Sequence, residues 1–166
     1  MSHEAVRDWL TARGFGDRVH RFEKPSSTVE LAAEAIGVEP ERIAKTMAII
    51  GPDGPVLVVA AGDRRLDGGK FKRTFHFKPH FIAPAEVEDL VGHAPGGVCP
   101  FGVKEGVPVW LDVSLKAYET VWPACGDGTS GAELTPDEME RATDYKGWVD
   151  VTRPPAAPAA TNPAVG

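Results

Sequence analysis

The first residue with the means to do chemistry is Lys45, which lies in a mostly apolar segment, residues 42–50. The segment is typical of a β-strand, in which side chains alternate between two faces. This alternation puts Lys45 on the same face as Ile43, Met47 and Ile49, which must face a core. Because an unpaired ammonium is costly to bury, Lys45 must find a partner, shift its pKa or point into a solvated pocket. A pocket lysine and a structural lysine at a strand end both fit this pattern.

The segment that follows Lys45 predicts a β-hairpin. Residues 51–54, Gly-Pro-Asp-Gly, have the composition of a tight turn, and residues 55–61 form an apolar run that suits a strand covered on both faces. If the turn is centred on the bond between Pro52 and Asp53, Lys45 lies opposite Ala60. Such a small neighbour would leave room beside the lysine side chain.

A second candidate for chemistry is the glycine- and proline-rich segment GGVCPFG. It lacks the GxGxxG pattern of a dinucleotide fingerprint and the Gly-Lys-Ser/Thr of a Walker loop. Paired glycines permit close backbone approach, so the loop could direct free N–H groups at a carbonyl oxygen or a phosphate. A plain turn between a helix and a strand would use the same residue types. The candidate residues are Gly96, Gly97, Val98, Cys99, Pro100, Phe101 and Gly102.

Two further side chains near these segments could take part in catalysis. Cys99 could be proposed as a nucleophile, but a catalytic thiol needs a base, and the sequence places no histidine beside it. The pattern therefore favours a small packed thiol. Asp112, at the end of an apolar strand, is a candidate partner for Lys45, and it could equally cap the turn at Ser114.

Basic residues are concentrated between positions 64 and 78. The chain has a formal net charge of −6, which argues against a protein that coats nucleic acid non-specifically. This local cluster is either a phosphate-binding patch or a solvated helix face. His76 and His80 have the spacing of a metal pair on a helix, but Pro79 between them disfavours that geometry. The basic residues are Arg64, Arg65, Lys70, Lys72, Arg73 and Lys78.

Alternating helix and strand patterns must position these residues. The predicted helices cover residues 2–13, 28–36, 67–75, 83–91 and 135–144. The predicted strands cover residues 19–23, 42–50, 55–61, 107–113, 119–125, 132–134 and 148–151. Ser27 with Glu30, and Thr135 with Glu138, have the spacing of capping boxes.

The length of 166 residues suits one domain, predicted for residues 1–153, followed by a Pro/Ala-rich tail, residues 154–166, that we expect to be disordered. No segment approaches the length of a membrane span, and the first residues lack the apolar core of a signal peptide. Two cysteines, Cys99 and Cys125, are too few for a disulfide scaffold. We therefore expect a cytoplasmic protein with reduced thiols.

The order of these segments resembles the YbaK/EbsC family of aminoacyl-tRNA deacylases, which are related to the editing domain inserted in bacterial prolyl-tRNA synthetases. The resemblance covers residues 19–151 and is most specific at two places. The family's lysine in an I-A-K-T/S strand is matched by Lys45, and its G-x-x-x-P loop is matched by Gly96 to Pro100. In the turn of residues 124–129, Cys125 and Asp127 stand where family members often carry small polar or basic residues.

The resemblance implies a mixed α/β fold, with a curved, barrel-like, mostly antiparallel or mixed sheet surrounded by helices. It implies hydrolysis of mischarged aminoacyl-tRNA in trans, without a metal or another cofactor, by water or by a group of the substrate. Lys45 would hold the terminal adenosine, its phosphate or the aminoacyl group. The backbone of Gly96 to Pro100 would grip the aminoacyl carbonyl or amine and help to set the size of the pocket.

The resemblance also bears on binding residues and partners. Thr28, Asp112 and Gly126 join the candidate substrate-binding residues, and the acceptor end of the tRNA would lie on the basic cluster. A synthetase is a further candidate partner, whereas DNA and membranes are not. Two alternatives stay open: a non-catalytic module that binds aminoacyl-tRNA or a synthetase, and a binder of a free amino acid or nucleotide. The tRNA-binding candidates are Arg64, Arg65, Lys70, Lys72 and Arg73.

Overall fold

The structure is a computed structural model that describes residues 3–23 and 28–155. Its helices are α1 (His3–Ala12), α2 (Val29–Ile36), α3 (Gly68–Phe75), α4 (Pro84–Val91) and α5 (Pro136–Ala142). Its strands are β1 (Val19–Arg21), β2 (Ile43–Gly51), β3 (Gly54–Ala61), β4 (Arg65–Leu66), β5 (His80–Phe81), β6 (Val109–Asp112), β7 (Trp122–Pro123), β8 (Ser130–Ala132), β9 (Tyr145–Val149) and β10 (Thr152–Arg153).

The main sheet is mixed and has the strand order β5-β2-β3-β6-β9. β2 pairs antiparallel with β3 and β5, whereas β3 with β6 and β6 with β9 are parallel pairs. The short strand β7 pairs parallel with the start of β2. Two smaller pairs, β1 with β8 and β4 with β10, complete the strand pairing in the described residues. The mixed α/β fold class is confirmed, although no pairing among the described strands closes this sheet into a barrel.

The hairpin of β2 and β3 has the predicted register. Gly51 pairs with Gly54 across the turn, and Lys45 lies opposite Ala60. Met47 and Ile49, which share the face of Lys45, belong to an apolar cluster with Phe71 of α3. A larger cluster covers the opposite face, so the hairpin is buried on both sides. As a result, Lys45 projects from a strand that is otherwise part of the protein interior.

The helix ends follow from local side-chain chemistry. The Thr28 hydroxyl accepts a hydrogen bond from the Leu31 N–H at the start of α2, whereas the predicted cap at Ser27 lies outside the described residues. The predicted capping box of Thr135 and Glu138 is confirmed at the start of α5. The Glu138 carboxylate also receives two hydrogen bonds of 2.7 Å from Arg18, which fixes α5 against the segment before β1.

Two predicted strands differ from the observed ones. The strand expected over residues 119–125 is reduced to Trp122–Pro123, because Pro123 has no N–H with which to continue the ladder. The final strand begins earlier than expected, at Tyr145, and β10 was not predicted. Lys146 and Gly147 interrupt the apolar pattern that would have indicated β9. The expected disordered tail lies outside the described residues, apart from residues 154 and 155.

Candidate functional site

A cavity of about 240 Å³ opens where β2 begins. It lies between α2, the first residues of β2, the strand β7 and the loop that contains Gly96 and Val98. The accessible lining is polar and apolar in about equal parts, and the volume is below the roughly 300–1,000 Å³ of sites that hold drug-sized ligands. The cavity therefore suits a small ligand or one end of a larger one. Its lining residues are Phe22, Thr28, Val29, Ala32, Ile36, Ile43, Ala44, Lys45, Thr46, Gly96, Val98, Trp122, Pro123, Ala124, Ser130 and Gly131.

Among the described residues, Lys45 is the cationic side chain of this lining. It is half-buried, and its Nζ donates a hydrogen bond to the backbone carbonyl of Arg64. No carboxylate of the described residues forms an ion pair with it. Burial lowers the pKa of the Lys45 ammonium, and the nearby charge of Asp63 opposes this shift in part. Because an ammonium carries three N–H donors, Lys45 retains capacity to donate to a ligand.

Two buried polar atoms in the lining have no hydrogen-bond partner among the described residues. They are Thr46 Oγ1 and Trp122 Nε1. Buried polar atoms in proteins are almost always paired, so exceptions beside a cavity indicate groups that a ligand can satisfy. The sequence did not point to either residue. Thr46 lies on the opposite strand face from Lys45, and Trp122 comes from a distant segment whose position depends on the pairing of β7 with β2.

The glycine-rich loop contributes its first half to the cavity. Gly96 adopts a left-handed backbone with φ of 88° and lines the cavity together with Val98. Gly97 is packed so tightly that a Cβ built on it would lie 2.5 Å from the carbonyl oxygen of Gly126. Glycine at position 97 thus lets the loop pack against the turn of residues 124–129. Gly126, which was predicted to bind substrate, contributes the carbonyl oxygen of this contact.

The second half of the loop does not reach this cavity. Cys99, Phe101 and Gly102 are buried, and Pro100 lines a different cavity beside Trp9. The expectation that the whole of residues 96–102 faces one ligand is therefore corrected. The chain turns into the core after Val98, because Cys99 and Phe101 pack in the main apolar cluster.

The structure places a histidine beside Cys99, which the sequence alone could not do. His93 Nε2 lies 3.5 Å from the Cys99 sulfur, in a fully buried position. The same Nε2 lies 2.7 Å from the carbonyl oxygen of Phe101, so it must carry the proton and cannot accept one from the thiol. Burial raises the pKa of Cys99 to about 12. This pair has the character of a packed thiol, as the sequence favoured, rather than of a nucleophile and its base.

Asp112 is not a partner of Lys45. Its buried carboxylate accepts hydrogen bonds from the Ser114 and Val151 N–H groups, at 3.0 and 2.9 Å, and from the Thr152 hydroxyl at 2.8 Å. The alternative interpretation, that Asp112 caps the turn at Ser114, is confirmed. The carboxylate joins β6 to the last described strand and does not line the cavity.

A buried polar network holds the cavity wall opposite α2. The Ser130 hydroxyl lies 2.9 Å from His3 Nδ1 and donates to the Asp127 carboxylate at 2.9 Å. The sequence could not indicate this network, because His3 and Ser130 are 127 positions apart. It fixes the turn that also contacts Gly97.

The basic cluster contains side chains that bind other residues of the protein and side chains that are exposed to solvent. Arg64 donates to the hydroxyl and carbonyl of Thr152, and Lys70 forms an ion pair of 3.1 Å with Asp150. Arg65, Lys72 and Arg73 are exposed. Of the residues expected to contact tRNA, these three are the most accessible.

The described residues hold no group of three or more His, Cys, Asp or Glu side chains arranged for a metal ion. None of the helices in the described part of the chain has the length and apolarity needed to cross a membrane. The residues that line the cavity offer hydroxyl, indole, ammonium and backbone groups instead. This donor set suits a carbonyl, hydroxyl or phosphate group on a ligand.

Comparison with known proteins shows which proteins this chain is similar to. Residues 23–142 match the family described as the aminoacyl-tRNA editing domain. The uncharacterized protein YwhH of Bacillus subtilis is 46% identical over 154 residues, which cover 92% of this chain and 98% of YwhH. A protein of Enterococcus faecalis, EbsC, provisionally named a Cys-tRNA(Pro)/Cys-tRNA(Cys) deacylase, is 29% identical over 70% of this chain and 73% of its own.

A solved structure shares the fold. It is provisionally described as a trans-editing enzyme for prolyl-tRNA synthetase, with a TM-score of 0.81 and 33% identity, over 91% of this chain and 96% of the other. The family match spans most of the chain and contains Lys45, the glycine loop and the cavity wall formed by β7 and β8. The chain belongs to the aminoacyl-tRNA editing domain family.

Proposed function

We propose that this protein is an aminoacyl-tRNA deacylase that acts in trans, and that the cavity beside Lys45 holds the aminoacyl ester. The observation that carries the proposal is the combination of a partly desolvated ammonium with two unpartnered donor groups in one small cavity. A lysine with a purely structural role would not explain why donor groups of Thr46 and Trp122 beside it lack hydrogen-bond partners. The family membership supplies the class of substrate.

The proposed reaction is hydrolysis of the ester between the amino acid and the terminal ribose. Water attacks the carbonyl carbon, the bond to the ribose oxygen breaks, and the proton of the water passes to that oxygen. Negative charge develops on the carbonyl oxygen, where prepositioned donors lower the barrier most. Lys45 and the backbone at Gly96 supply such donors. The reaction needs neither an enzyme nucleophile nor a metal, which fits a lining free of Cys, His and carboxylate side chains.

The size of the cavity favours small aminoacyl groups such as alanine, serine, threonine or cysteine. The name of EbsC refers to cysteine. Choosing among these groups is a fine discrimination, because one methylene in an apolar pocket is worth only ~1–3 kcal/mol. Val98 and Ala124 line the cavity and are candidates to limit the length of the side chain.

The acceptor end of the tRNA would lie on Arg65, Lys72 and Arg73, which are exposed on the strand and helix that follow Arg64. Arg64 and Lys70 would support this surface through Thr152 and Asp150. A local basic surface allows a net-acidic protein to bind RNA. Thr28, at the start of α2 and on the cavity lining, is a further candidate contact. We expect the protein to act in the cytoplasm, with a synthetase as a candidate partner.

A deacylation screen tests the proposal. The purified protein and its Lys45→Ala variant are each mixed with tRNAs mischarged with Ala, Ser, Thr or Cys, and ester cleavage is followed over time. Wild-type cleavage of one or two substrates, lost in a folded Lys45→Ala variant, is the expected result. Full activity of the variant would show that Lys45 has no part in the reaction.

The second candidate function is a non-catalytic module that binds aminoacyl-tRNA. It is favoured by one observation: within residues 3–23 and 28–155, no residue of the cavity lining forms a nucleophile–base pair with another lining residue. The same screen separates the two functions. A binding module would retain charged tRNA in a filter assay and cleave none of the esters.

A further inference from the structure

A second depression lies at the far end of the β2–β3 hairpin from Lys45. We call it the hairpin groove; it has a volume of about 570 Å³ and is bounded by residues 51–56, Phe75–Phe77, Trp110 and Lys146. Gly51 lies six positions after Lys45 on β2, which corresponds to about 20 Å at ~3.3 Å per residue. The hairpin groove is thus well removed from the cavity.

Aromatic rings form one wall of the groove. The ring of Phe75 packs edge-on against Trp110 with centroids 5.4 Å apart, and Phe77 lies 6.2 Å from Phe75. Phe81 does not line the groove, but its pairing with Ile49 across β5 and β2 puts it on the same face of the sheet as Ile49, and it is 62% exposed. Phe75, Phe77 and Trp110 are half-buried, and the exposed part of each ring offers a surface on which a planar ligand can stack.

Exposed cationic side chains occur in the groove and on the segment that carries two of its rings. Lys146 lines the groove, whereas Lys72, Arg73 and Lys78 are exposed on the segment that contains Phe75 and Phe77. None of these four forms an ion pair or a side-chain hydrogen bond with a described residue, and Asp53 in the turn lines the groove together with Lys146. The surface therefore combines stacking groups with unpaired cations, which is the combination that single-stranded RNA requires.

Helix α3 connects the groove to the cavity. The helix follows shortly after Arg64, whose backbone carbonyl accepts the hydrogen bond from Lys45. It ends at Phe75, which lines the groove together with His76. Phe71 fixes the helix on the face of the sheet that carries Lys45, and Lys72 and Arg73 remain exposed. The helix spans about 12 Å at ~1.5 Å per residue, so it bridges much of the separation.

We propose that the hairpin groove binds an unpaired nucleobase of the tRNA acceptor end, upstream of the ester held at Lys45. This inference rests on the proposed deacylase function and adds a second point of contact. Stacked nucleotides advance only ~3.4 Å each, so the unpaired acceptor end must be extended and largely unstacked to span the ~20 Å between the two sites. The basic side chains of α3 lie beside the phosphates of this strand, and the aromatic wall stacks on the base.

The experiment compares two substrates of different reach. One is the full mischarged tRNA that the wild type cleaves best, and the other is the same amino acid esterified to adenosine alone, which is too short to fill both sites. The variants are Phe77→Ala, which removes a stacking ring, and Lys146→Glu, which reverses the charge of an exposed residue that lines the groove. Arg7→Glu on α1 is the matched control, because Arg7 is also exposed and lines neither the cavity nor the groove.

We expect Phe77→Ala and Lys146→Glu to raise KM for the full tRNA roughly tenfold, since a stacked base and its neighbouring phosphate each contribute measurably to binding. Cleavage of the adenosine ester should stay at the wild-type rate, as should both activities of Arg7→Glu. Equal losses on both substrates, or wild-type KM for the full tRNA, would overturn the groove proposal while deacylation itself stands.

Two further measurements keep the test decisive. If Phe77→Ala fails to fold, His76→Gly replaces it, because His76 has a left-handed φ of 66° that glycine adopts without strain. If the wild type cleaves neither ester, the proposed function fails. Fluorescence anisotropy with uncharged tRNA then tests whether the groove binds RNA. Roughly tenfold weaker binding by the groove variants would support it, and unchanged binding would overturn it. A groove that instead binds a synthetase, with tRNA affinity unaltered, would also overturn it.

Discussion

Lys45 and Cys99 are two reactive side chains whose surroundings differ in access and in hydrogen bonding. Cys99 is fully enclosed, its neighbour His93 is committed to the Phe101 carbonyl, and burial raises the thiol pKa to about 12. Lys45 is half-buried on the wall of an open cavity, and unpartnered donors of Thr46 and Trp122 lie in the same lining. Closeness of a base and a nucleophile is thus a weaker sign of function than vacant hydrogen-bonding capacity that a ligand can reach.

The sharpest test of this contrast is the Lys45→Met variant, which keeps the apolar stem of the side chain and removes its charge. We expect kcat/KM for deacylation to fall about 100-fold or more, because loss of one donor to a developing oxyanion costs ~10²–10³ in rate. The free energy of unfolding should stay the same or rise, since a partly desolvated ammonium is removed. Parallel kinetics and thermal unfolding measure both effects.

Lys116→Met is the matched control for this variant. Lys116 is exposed and lies over the ring of Trp148, away from the cavity lining. Its replacement should leave deacylation unchanged. If Lys45→Met unfolds more easily, and its activity falls only as much as its folded fraction does, Lys45 has a structural role.

The pH dependence of Lys45 sharpens the same contrast. Because burial lowers the pKa of Lys45 from the ordinary 10.5, deacylation that needs the ammonium should decline as pH rises through that lowered value, by about tenfold per unit beyond it. Spontaneous ester hydrolysis is subtracted with the Lys45→Met variant. A wild-type profile that stays flat up to the ordinary lysine range would contradict a role for the charged form.

The folding stability of the protein should change with pH in the opposite direction to its activity. Between the lowered folded pKa and 10.5 the unfolded state binds more protons at Lys45, so folding stability gains from this group as pH rises. Lys45→Met should remove that gain. Denaturant unfolding of the two proteins across this pH window provides the measurement.

The Gly97→Ala variant probes the contact between the glycine loop and the turn of residues 124–129. A methyl group at position 97 would lie 2.5 Å from a carbonyl oxygen and 2.7 Å from the Cα of Asp127, so the two backbones must separate. We expect a destabilisation of ~1–3 kcal/mol and roughly tenfold lower kcat/KM, as Gly96 and Val98 shift with the loop.

Gly68→Ala serves as the control for this backbone change. A Cβ at Gly68 meets open space at the first residue of α3, so stability and activity should be retained. Wild-type activity in Gly97→Ala would show that the loop position does not matter to the substrate.

The smallest effect is expected for Cys99→Ala. The thiol packs in the main core and reaches no cavity-lining group, so kcat/KM should stay within about twofold of wild type. The small void should cost ~1–2 kcal/mol in unfolding free energy. A loss of activity without a loss of stability, or rapid inactivation by a thiol reagent in the folded state, would restore Cys99 as a functional residue.

The parts of the fold that were predictable depend on neighbouring residues. The turn of residues 51–54 fixes the register of β2 and β3, which is why the pairing of Lys45 with Ala60 could be derived. The capping box at Thr135 likewise uses side chains three positions apart. Local chemistry therefore located Lys45 and the helix starts without any tertiary information.

The missed parts depend on contacts between distant segments. Trp122 enters the cavity because β7 pairs with the start of β2, and Ser130 is held by His3 near the other end of the chain. The inward turn of the loop after Val98 follows from the burial of Cys99 and Phe101 in a core that several elements build. No spacing within the sequence encodes such proximity.

Co-crystallisation with a non-hydrolysable substrate analogue tests the central claim most directly. The analogue is a 3′-amino-3′-deoxyadenosine that carries the preferred amino acid in amide linkage, bound to the wild-type protein. We expect the aminoacyl group to occupy the cavity. Its carbonyl oxygen should lie within hydrogen-bonding distance of Lys45 Nζ or of the backbone near Gly96, and the side chain of Thr46 or Trp122 should form a hydrogen bond with the analogue. An analogue bound elsewhere, for example in the cavity lined by Pro100 and Trp9, with Lys45 still on the Arg64 carbonyl alone, would contradict it.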